Sequence, residues 1–388
     1  MSASPRDPVI AGLGLTELGK VYGPTAADFA AQAVRRAAAD AGLPLADIDG
    51  LLVSSGTTNG VHLDLQRDLD LTDLRLLSEM QAYGSTAGAM VQVASMAVQA
   101  GMADVVACVW ADAPLRQGRS AGAAYGAAGR PRAGWQGLLT ASGVVGPNHL
   151  YALAARRHMQ AYGTTSEQLG AIAVAQRQWA AMNPLAQLRD LITLDDYLAS
   201  RWIAEPFRLL DCCLVSNGGI AVIVTAADRA ASLAQPAVHV LGWAQSHPGH
   251  SQRRDENFGL VTGAAQAGPA ALKMAGVELA DIGVVELYDC YTFTVLVTLE
   301  DYGFCPKGEG GPFAASGALG PEGKLKLNTG GGELSGYYLW GMTPLSEAVI
   351  QARGQAGERQ VANHDLVLVS GNGGILDHHS TLVLGTSR

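Results

Sequence analysis

Ala41-Gly-Leu-Pro-Leu-Ala-Asp-Ile48 returns later in the chain as Ala275-Gly-Val-Glu-Leu-Ala-Asp-Ile282, with six of the eight positions identical. An Ala-rich stretch of helical period precedes each copy, at residues 26–40 and 263–274. A short apolar run follows each, Gly50-Leu-Leu-Val53 and Val284-Val-Glu-Leu287. Both copies therefore read as helix, glycine stop, short loop and buried strand. A second pair of elements echoes the first. Residues 87–100 form a helical run that leads to Asp104-Val-Val-Ala-Cys-Val109, and residues 344–353 form another that leads to Asp365-Leu-Val-Leu-Val369. Duplicated helix–strand units predict an α/β chain of two lobes built on one plan. The lobes span residues 1–235 and 236–388. Inside the first lies an insertion at about 116–206, Gly- and Ala-rich at its start and then helical over 151–162 and 166–182.

Composition agrees with a large buried core. The chain has 388 residues, of which 48% are hydrophobic and only 16% charged. That balance suits a buried sheet covered by helices rich in small residues. A net charge of −9 argues against a general role on nucleic acid or an anionic membrane. No apolar run is long enough to cross a bilayer, and Met-Ser-Ala-Ser-Pro-Arg-Asp-Pro at the start has no apolar core of a secretion signal. The five cysteines (Cys108, Cys212, Cys213, Cys290 and Cys305) show no C-x-x-C spacing and read as reduced thiols of a cytoplasmic protein. The histidines show no metal-ligand spacing, and His378 and His379 would point to opposite faces of a strand, so no metal site is expected.

Two motifs carry the chemistry. Asn328-Thr-Gly-Gly-Gly-Glu-Leu-Ser-Gly-Tyr-Tyr338-Leu-Trp-Gly-Met-Thr343 resembles the glycine-rich loop of thiolases, which in the sterol-carrier type runs roughly N-P-S-G-G-…-G-H-P-L-G-A-T-G. Tyr338 stands at the His position. Upstream, Glu286-Leu-Tyr288-Asp-Cys290-Tyr291 resembles E-L-H-D-C-F of the same subfamily, and Tyr288 again replaces a His. The stretch that would carry the nucleophilic Cys reads Ala82-Tyr-Gly84-Ser-Thr-Ala-Gly88. Aligning it through Val98-Gln-Ala-Gly101 puts Gly84 at the Cys position, or Tyr83 or Ser85 after a slip of one. The closing Val369-Ser-Gly-Asn-Gly-Gly-Ile375 resembles the last glycine-rich loop of the family, without the Cys that biosynthetic thiolases carry there. The resemblance covers nearly the whole chain. It implies a thiolase fold, with duplicated lobes in a five-layer αβαβα sandwich and the insertion as its loop domain.

Claisen chemistry on this scaffold needs a thiolate that takes the acyl group, and no Cys stands there. Tyr291 and Tyr337 read as structural neighbours of the two motif tyrosines, Asp289 as a loop hydrogen bonder and Cys290 as structural. A phenol of pKa about 10 can still exchange a proton with a β-hydroxyl, itself a weak acid. The chain resembles most the thiolase-superfamily aldolases, often labelled lipid-transfer proteins, that shorten sterol side chains as coenzyme A thioesters. That resemblance implies retro-aldol cleavage of a β-hydroxyacyl-coenzyme A to a ketone or aldehyde plus acetyl- or propionyl-coenzyme A. Tyr288 and Tyr338 are the implied acid and base. Backbone donors near Gly84 and Gly373 are candidates for the oxyanion site, and His379 for orienting a tyrosine or touching substrate. Coenzyme A enters as part of the substrate, with no covalent cofactor. The resemblance also implies a homodimer and a small partner subunit, an OB-fold with a zinc ribbon. For dimerisation the sequence itself offers only a possible edge strand at 104–109. Two readings compete: a Claisen thiolase or acyltransferase with unconventional residues, and a silent carrier of lipid or acyl-coenzyme A.

Overall fold

A computed structural model describes residues 6–124, 134, 137–144, 146–230, 232–253 and 255–387. Part of the Gly- and Ala-rich start of the insertion lies outside them. The strands are β1 (Pro8–Leu15), β2 (Gly50–Ser55), β3 (Leu76–Glu79), β4 (Val105–Asp112), β5 (Trp202–Ala204), β6 (Phe207–Arg208), β7 (Gly218–Ala226), β8 (Val238–Ser246), β9 (Val284–Leu287), β10 (Leu366–Gly373) and β11 (His378–Gly385). The longer helices are numbered α1 (Ala26–Ala41), α2 (Thr86–Gln99), α3 (Pro147–Tyr162), α4 (Ser166–Ala181), α5 (Ala264–Ala275), α6 (Thr292–Tyr302) and α7 (Met342–Ala352).

The repeated octapeptide folds the same way twice. α1 stops at Gly42, with φ of 73°, and α5 at Gly276, with φ of 74°. This left-handed conformation carries no Cβ penalty in glycine. The next amide closes each helix, Leu43 N–H on the Ala38 carbonyl and Val277 N–H on that of Leu272. One 3₁₀ turn follows each, Leu45–Asp47 and Leu279–Asp281, and then a wholly buried strand, β2 or β9.

Nine strands form one sheet in the order β3-β2-β4-β7-β1-β8-β11-β10-β9. It consists of two halves of the same plan. β2 runs parallel to β4, and β9 parallel to β10. Each of these pairs is continued by antiparallel strands, β7 and β1 in one half, β11 and β8 in the other. The halves join where β1 pairs with β8, through Val9–His239 and Ile10–Val238. α1 covers the outer face of the first half. α2 and α7 touch each other and lie between the halves, and α5 covers the outer face of the second half with α6 against it. The layers are helix, sheet, helix, sheet, helix, as the resemblance implies.

One expectation is corrected. Residues 104–109 do not form an edge: β4 lies between β2 and β7, and the edge strands among the described residues are β3 and β9. β4 is buried at every position, whereas β3 alternates half-buried and exposed. A continuous apolar run is the mark of a strand covered on both faces.

The insertion supplies α3, α4, a short helix Leu194–Ala199 and the hairpin β5–β6. It grips the glycine-rich loop that leads into α7. Asn183 donates to the Gly330 carbonyl at 2.8 Å, Arg177 to Ser335 Oγ at 2.9 Å, and the amides of Gln187 and Leu188 to the carbonyls of Gly336 and Ser335.

Candidate active site

The site lies at the C-terminal ends of β9 and β10, where α2 and α7 both begin. Tyr288 follows β9 directly. Its amide donates to the Ser370 carbonyl of β10 at 3.0 Å, which fixes its backbone. Tyr338 is carried by the glycine-rich loop, and the root of that loop is pinned by buried polar groups. Thr329 donates from N and Oγ1 to Glu286 at 3.0 and 2.7 Å, and Asn328 Oδ1 accepts the Leu287 amide at 2.7 Å. Arg359 holds Glu347 through two parallel bonds of 2.8 and 2.9 Å beside Thr329. Burial, and then the Glu347 charge, raise Glu286 well above the usual carboxylate range. At the other end of the loop the Tyr338 amide donates to Ser216 Oγ at 3.0 Å, which also accepts from Gln187 at 2.6 Å.

These anchors bring the two phenols together: Tyr288 Oη lies 3.2 Å from Tyr338 Oη. Tyr288 is 4% exposed and Tyr338 is half-buried. Burial, and then the neighbouring Glu333 carboxyl, push the Tyr288 phenol well above its ordinary value. It is therefore a proton holder that ionises only at high cost.

Gly84 explains how the ring of Tyr288 fits. A Cβ at residue 84 would stand 2.3 Å from Tyr288 Cε2 and 2.2 Å from the Asn372 carbonyl oxygen. The place a nucleophile side chain would need is filled by the tyrosine ring. Three other glycines meet the same backbone. A Cβ at Gly341 or Gly371 would lie 2.2 or 2.8 Å from the Gly84 oxygen, and one at Gly373 would lie 2.9 Å from the Gly84 nitrogen. Gly84 and Gly373 thus lie together at the tyrosine pair, beside the first turn of α2, whose N-terminus favours negative charge.

The alternatives at neighbouring positions face elsewhere. Ser85 is fully buried and donates to the Ala82 carbonyl at 2.9 Å, with no base beside it among the described residues. Tyr83 is 50% exposed. Its φ of 54° and the 50° of Trp340 are left-handed, a strained conformation for bulky residues that clusters at functional sites. The Tyr83 ring stacks on His378 at 5.8 Å and tilts against Trp340 at 6.0 Å, forming an aromatic wall at the mouth of the site. Burial pushes the Cys290 thiol well up, and its sulfur lies 4.0 Å from Thr294 Oγ1, so it is no ready thiolate. Asp289 accepts the amides of Glu333 and Leu334 at 2.8 and 3.1 Å, and Tyr337 pairs with Ser346 at 2.9 Å.

His379 is not brought to the tyrosine pair. It is 1% exposed, and Nε2 lies 2.9 Å from Tyr302 Oη and 3.2 Å from Ser370 Oγ. Its link to Tyr288 runs only through Ser370. Burial, and then His247, lower its pKa to about 3. Between that value and the ~6.5 of an unfolded His, the unfolded chain binds the extra proton, so stability falls as pH falls. The melting temperature of the natural protein is therefore expected to drop relative to His379→Gln as pH is lowered from 7 to 4, by thermal denaturation at matched ionic strength. A constant difference would show that His379 is not held neutral.

Of the residues read from the sequence, the fold brings Tyr288, Tyr338, Gly84 and Gly373 together, and Glu333, Ser216 and Gln187 beside them were not read. Glu333 is wholly buried in a loop that reads as polar and glycine-rich, and the other two act through backbone fixed only in the fold. Among the described residues no group of three His, Cys, Asp or Glu could hold a metal, and no helix is long and apolar enough to cross a membrane.

Fold and site together define a thiolase scaffold with two phenols 3.2 Å apart beside Gly84. The thiolase C-terminal domain-like family matches residues 242–386. The chain is 37% identical to the "Steroid side-chain-cleaving aldolase" of Thermomonospora curvata over all of both chains. It is also 37% identical to the "17-hydroxy-3-oxo-4-pregnene-20-carboxyl-CoA lyase" of Mycobacterium tuberculosis, over 97% of this chain and 98% of that one. A solved "Ltp2-ChsH2(DUF35) aldolase" superposes with a TM-score of 0.88 at 36% identity, covering 99% of each chain. The chain belongs to the thiolase superfamily, in the branch of these aldolases and the sterol-carrier-type thiolases.

Proposed function

We infer that this chain is a lyase that cleaves the Cα–Cβ bond of a β-hydroxyacyl-coenzyme A by a retro-aldol step. The acyl group is a steroid or other branched side chain, and the products are a ketone or aldehyde and acetyl- or propionyl-coenzyme A. The observation that carries this reading is the pair of phenol oxygens 3.2 Å apart, with the Tyr288 ring packed against Gly84, where the resemblance puts the nucleophile.

The pair supports a relay in which neither phenol is left ionised. The substrate hydroxyl passes its proton to Tyr338 Oη. Tyr338 passes its own to Tyr288 Oη, and Tyr288 delivers one to Cα. The O–H electrons become the new C=O bond, and the Cα–Cβ pair moves through the thioester enolate into the new Cα–H bond. Ionising a phenol of pKa 10 at pH 7 would cost about 4 kcal/mol before burial is counted, and the relay avoids that cost. Tyr288, the more deeply buried of the two, takes the part of the acid, and Tyr338 that of the base. The enolate oxygen is stabilised by backbone donors at Gly84 and Gly373 and by the start of α2. The proposed assembly is a homodimer with a small OB-fold and zinc-ribbon subunit that helps hold the thioester. The superposed aldolase supports the small subunit, because its name joins two components, Ltp2 and ChsH2(DUF35).

The test is a turnover assay on a β-hydroxyacyl-coenzyme A with a tertiary side-chain hydroxyl, without free coenzyme A, with and without that small subunit. Ketone and short acyl-coenzyme A are expected in equal amounts. Product that forms only from a β-ketoacyl substrate with free coenzyme A would instead mean a Claisen enzyme, and thioester binding without product a carrier.

A further inference from the structure

Glu333 is an acid near the tyrosine pair to which the relay gives no task. It is wholly buried, and among the described residues neither carboxyl oxygen has a hydrogen-bond partner. Such a site is costly for any polar group and prohibitive for a lone carboxylate. It is also held deliberately. Its amide donates to Asp289, its carbonyl accepts from Leu214, and it sits in a π-turn, Gly332–Gly336, entered through Gly331 and Gly332 at φ of 89° and 58°. π-turns recur at functional sites. This one leads within two residues to Tyr338.

We propose that Glu333, kept as a neutral carboxylic acid, is a positioning residue for the reaction: it keeps the buried turn that bonds Asp289, the residue after Tyr288, uncharged, so that Tyr288 can release its proton to Cα. The proposal rests on the tyrosine-pair reading above. An ionised Glu333 would add a negative charge next to a phenol that gives up its proton in the relay, and would hold that proton back. Among neighbouring charges, its effect on the Tyr288 proton is the largest. Burial first, then Asp289, raise Glu333 well above the usual carboxylate range, and Asp289 itself is raised to about 7 by burial. Among the described residues no cation hydrogen-bonds the Glu333 carboxyl. The groups that act on it are Tyr288, Asp289 and Cys290 from the segment after β9 and Cys213 from the segment before β7. Arg177 of α4, which bonds the same turn, donates to Ser335 Oγ and to the Asp190 carbonyl.

Two measurements on the full chain with its thioester substrate test this. The first is the infrared carbonyl band of a protonated carboxylic acid at neutral pH, in the natural protein and in Glu333→Gln, which is isosteric and cannot ionise. The second is kcat against pH for both proteins and for Tyr288→Phe. The expected results are a band lost in Glu333→Gln, and an alkaline fall in kcat that moves up by about one pH unit or more in that variant. Absence of the band overturns the proposal. So does an alkaline limb that is the same in Glu333→Gln while turnover still depends on Tyr288. Full activity in Tyr288→Phe would instead overturn the tyrosine reading itself, and the proposal with it.

Discussion

Tyr288→Phe is expected to lower kcat by about 10³-fold, and Tyr338→Phe by a similar factor, with little change in KM. Each substitution removes one oxygen and keeps the ring, so the packing of Tyr288 against Gly84 survives. What is lost is one link of the relay. Without Tyr288 Oη, the proton that Tyr338 accepts has no path to Cα, and the enolate waits for water in a buried site. Without Tyr338 Oη, the substrate hydroxyl has no acceptor. A factor of 10³ is about 4 kcal/mol of transition-state stabilisation, within the range of positioned acid–base groups. Steady-state release of ketone from the same thioester measures it. Variants within a factor of ten of the natural enzyme would remove the phenols from the mechanism.

Gly84→Ala is expected to cost as much as losing a tyrosine, and Gly84→Cys to yield no thiolysis. A single Cβ would meet the Tyr288 ring at 2.3 Å and the Asn372 carbonyl at 2.2 Å, and carbon atoms do not approach so closely. Neither neighbour can yield cheaply. Asn372 belongs to β10, paired with β11, and Tyr288 is tied through its amide to Ser370. Overpacking of this kind costs about 1–3 kcal/mol of stability. Its effect on rate is larger, because displacing a reacting group by about 1 Å can cost 10²-fold or more. A drop of about 10²–10³-fold in kcat with the protein still folded is the expected outcome, read by turnover beside thermal denaturation. Coenzyme A-dependent thiolysis by Gly84→Cys would show that the cavity still accepts a nucleophile.

The two halves of the fold were legible because a helix stop must be glycine and a strand covered on both faces must be apolar. Those requirements left the same octapeptide in both lobes, and the 3₁₀ turns and buried strands fell where it places them. Strand order was less legible. Asp104-Val-Val-Ala-Cys-Val109 states that both faces of a strand are covered, but not which strands flank it, and it proved interior. The tyrosines were found through the residues around them, since the glycines of residues 328–343 and the run from Glu286 fix the alignment. Glu333 escaped because burial of a charge is a property of the fold. Nothing in Gly-Gly-Gly-Glu-Leu-Ser distinguishes a buried acid from a solvated one. The strain at Tyr83 and Trp340 was hidden for the same reason, as was the grip of the insertion on the glycine-rich loop.

The central claim is that the two phenols act as one proton-transfer unit, and a double-mutant cycle on kcat tests it most directly. If Tyr288 and Tyr338 form a single relay, breaking it once breaks it completely. The double variant Tyr288→Phe/Tyr338→Phe should then turn over within about three-fold of the slower single variant. Losses that multiply, so that the double variant falls by about 10⁶-fold, would mean two independent groups and would contradict the relay.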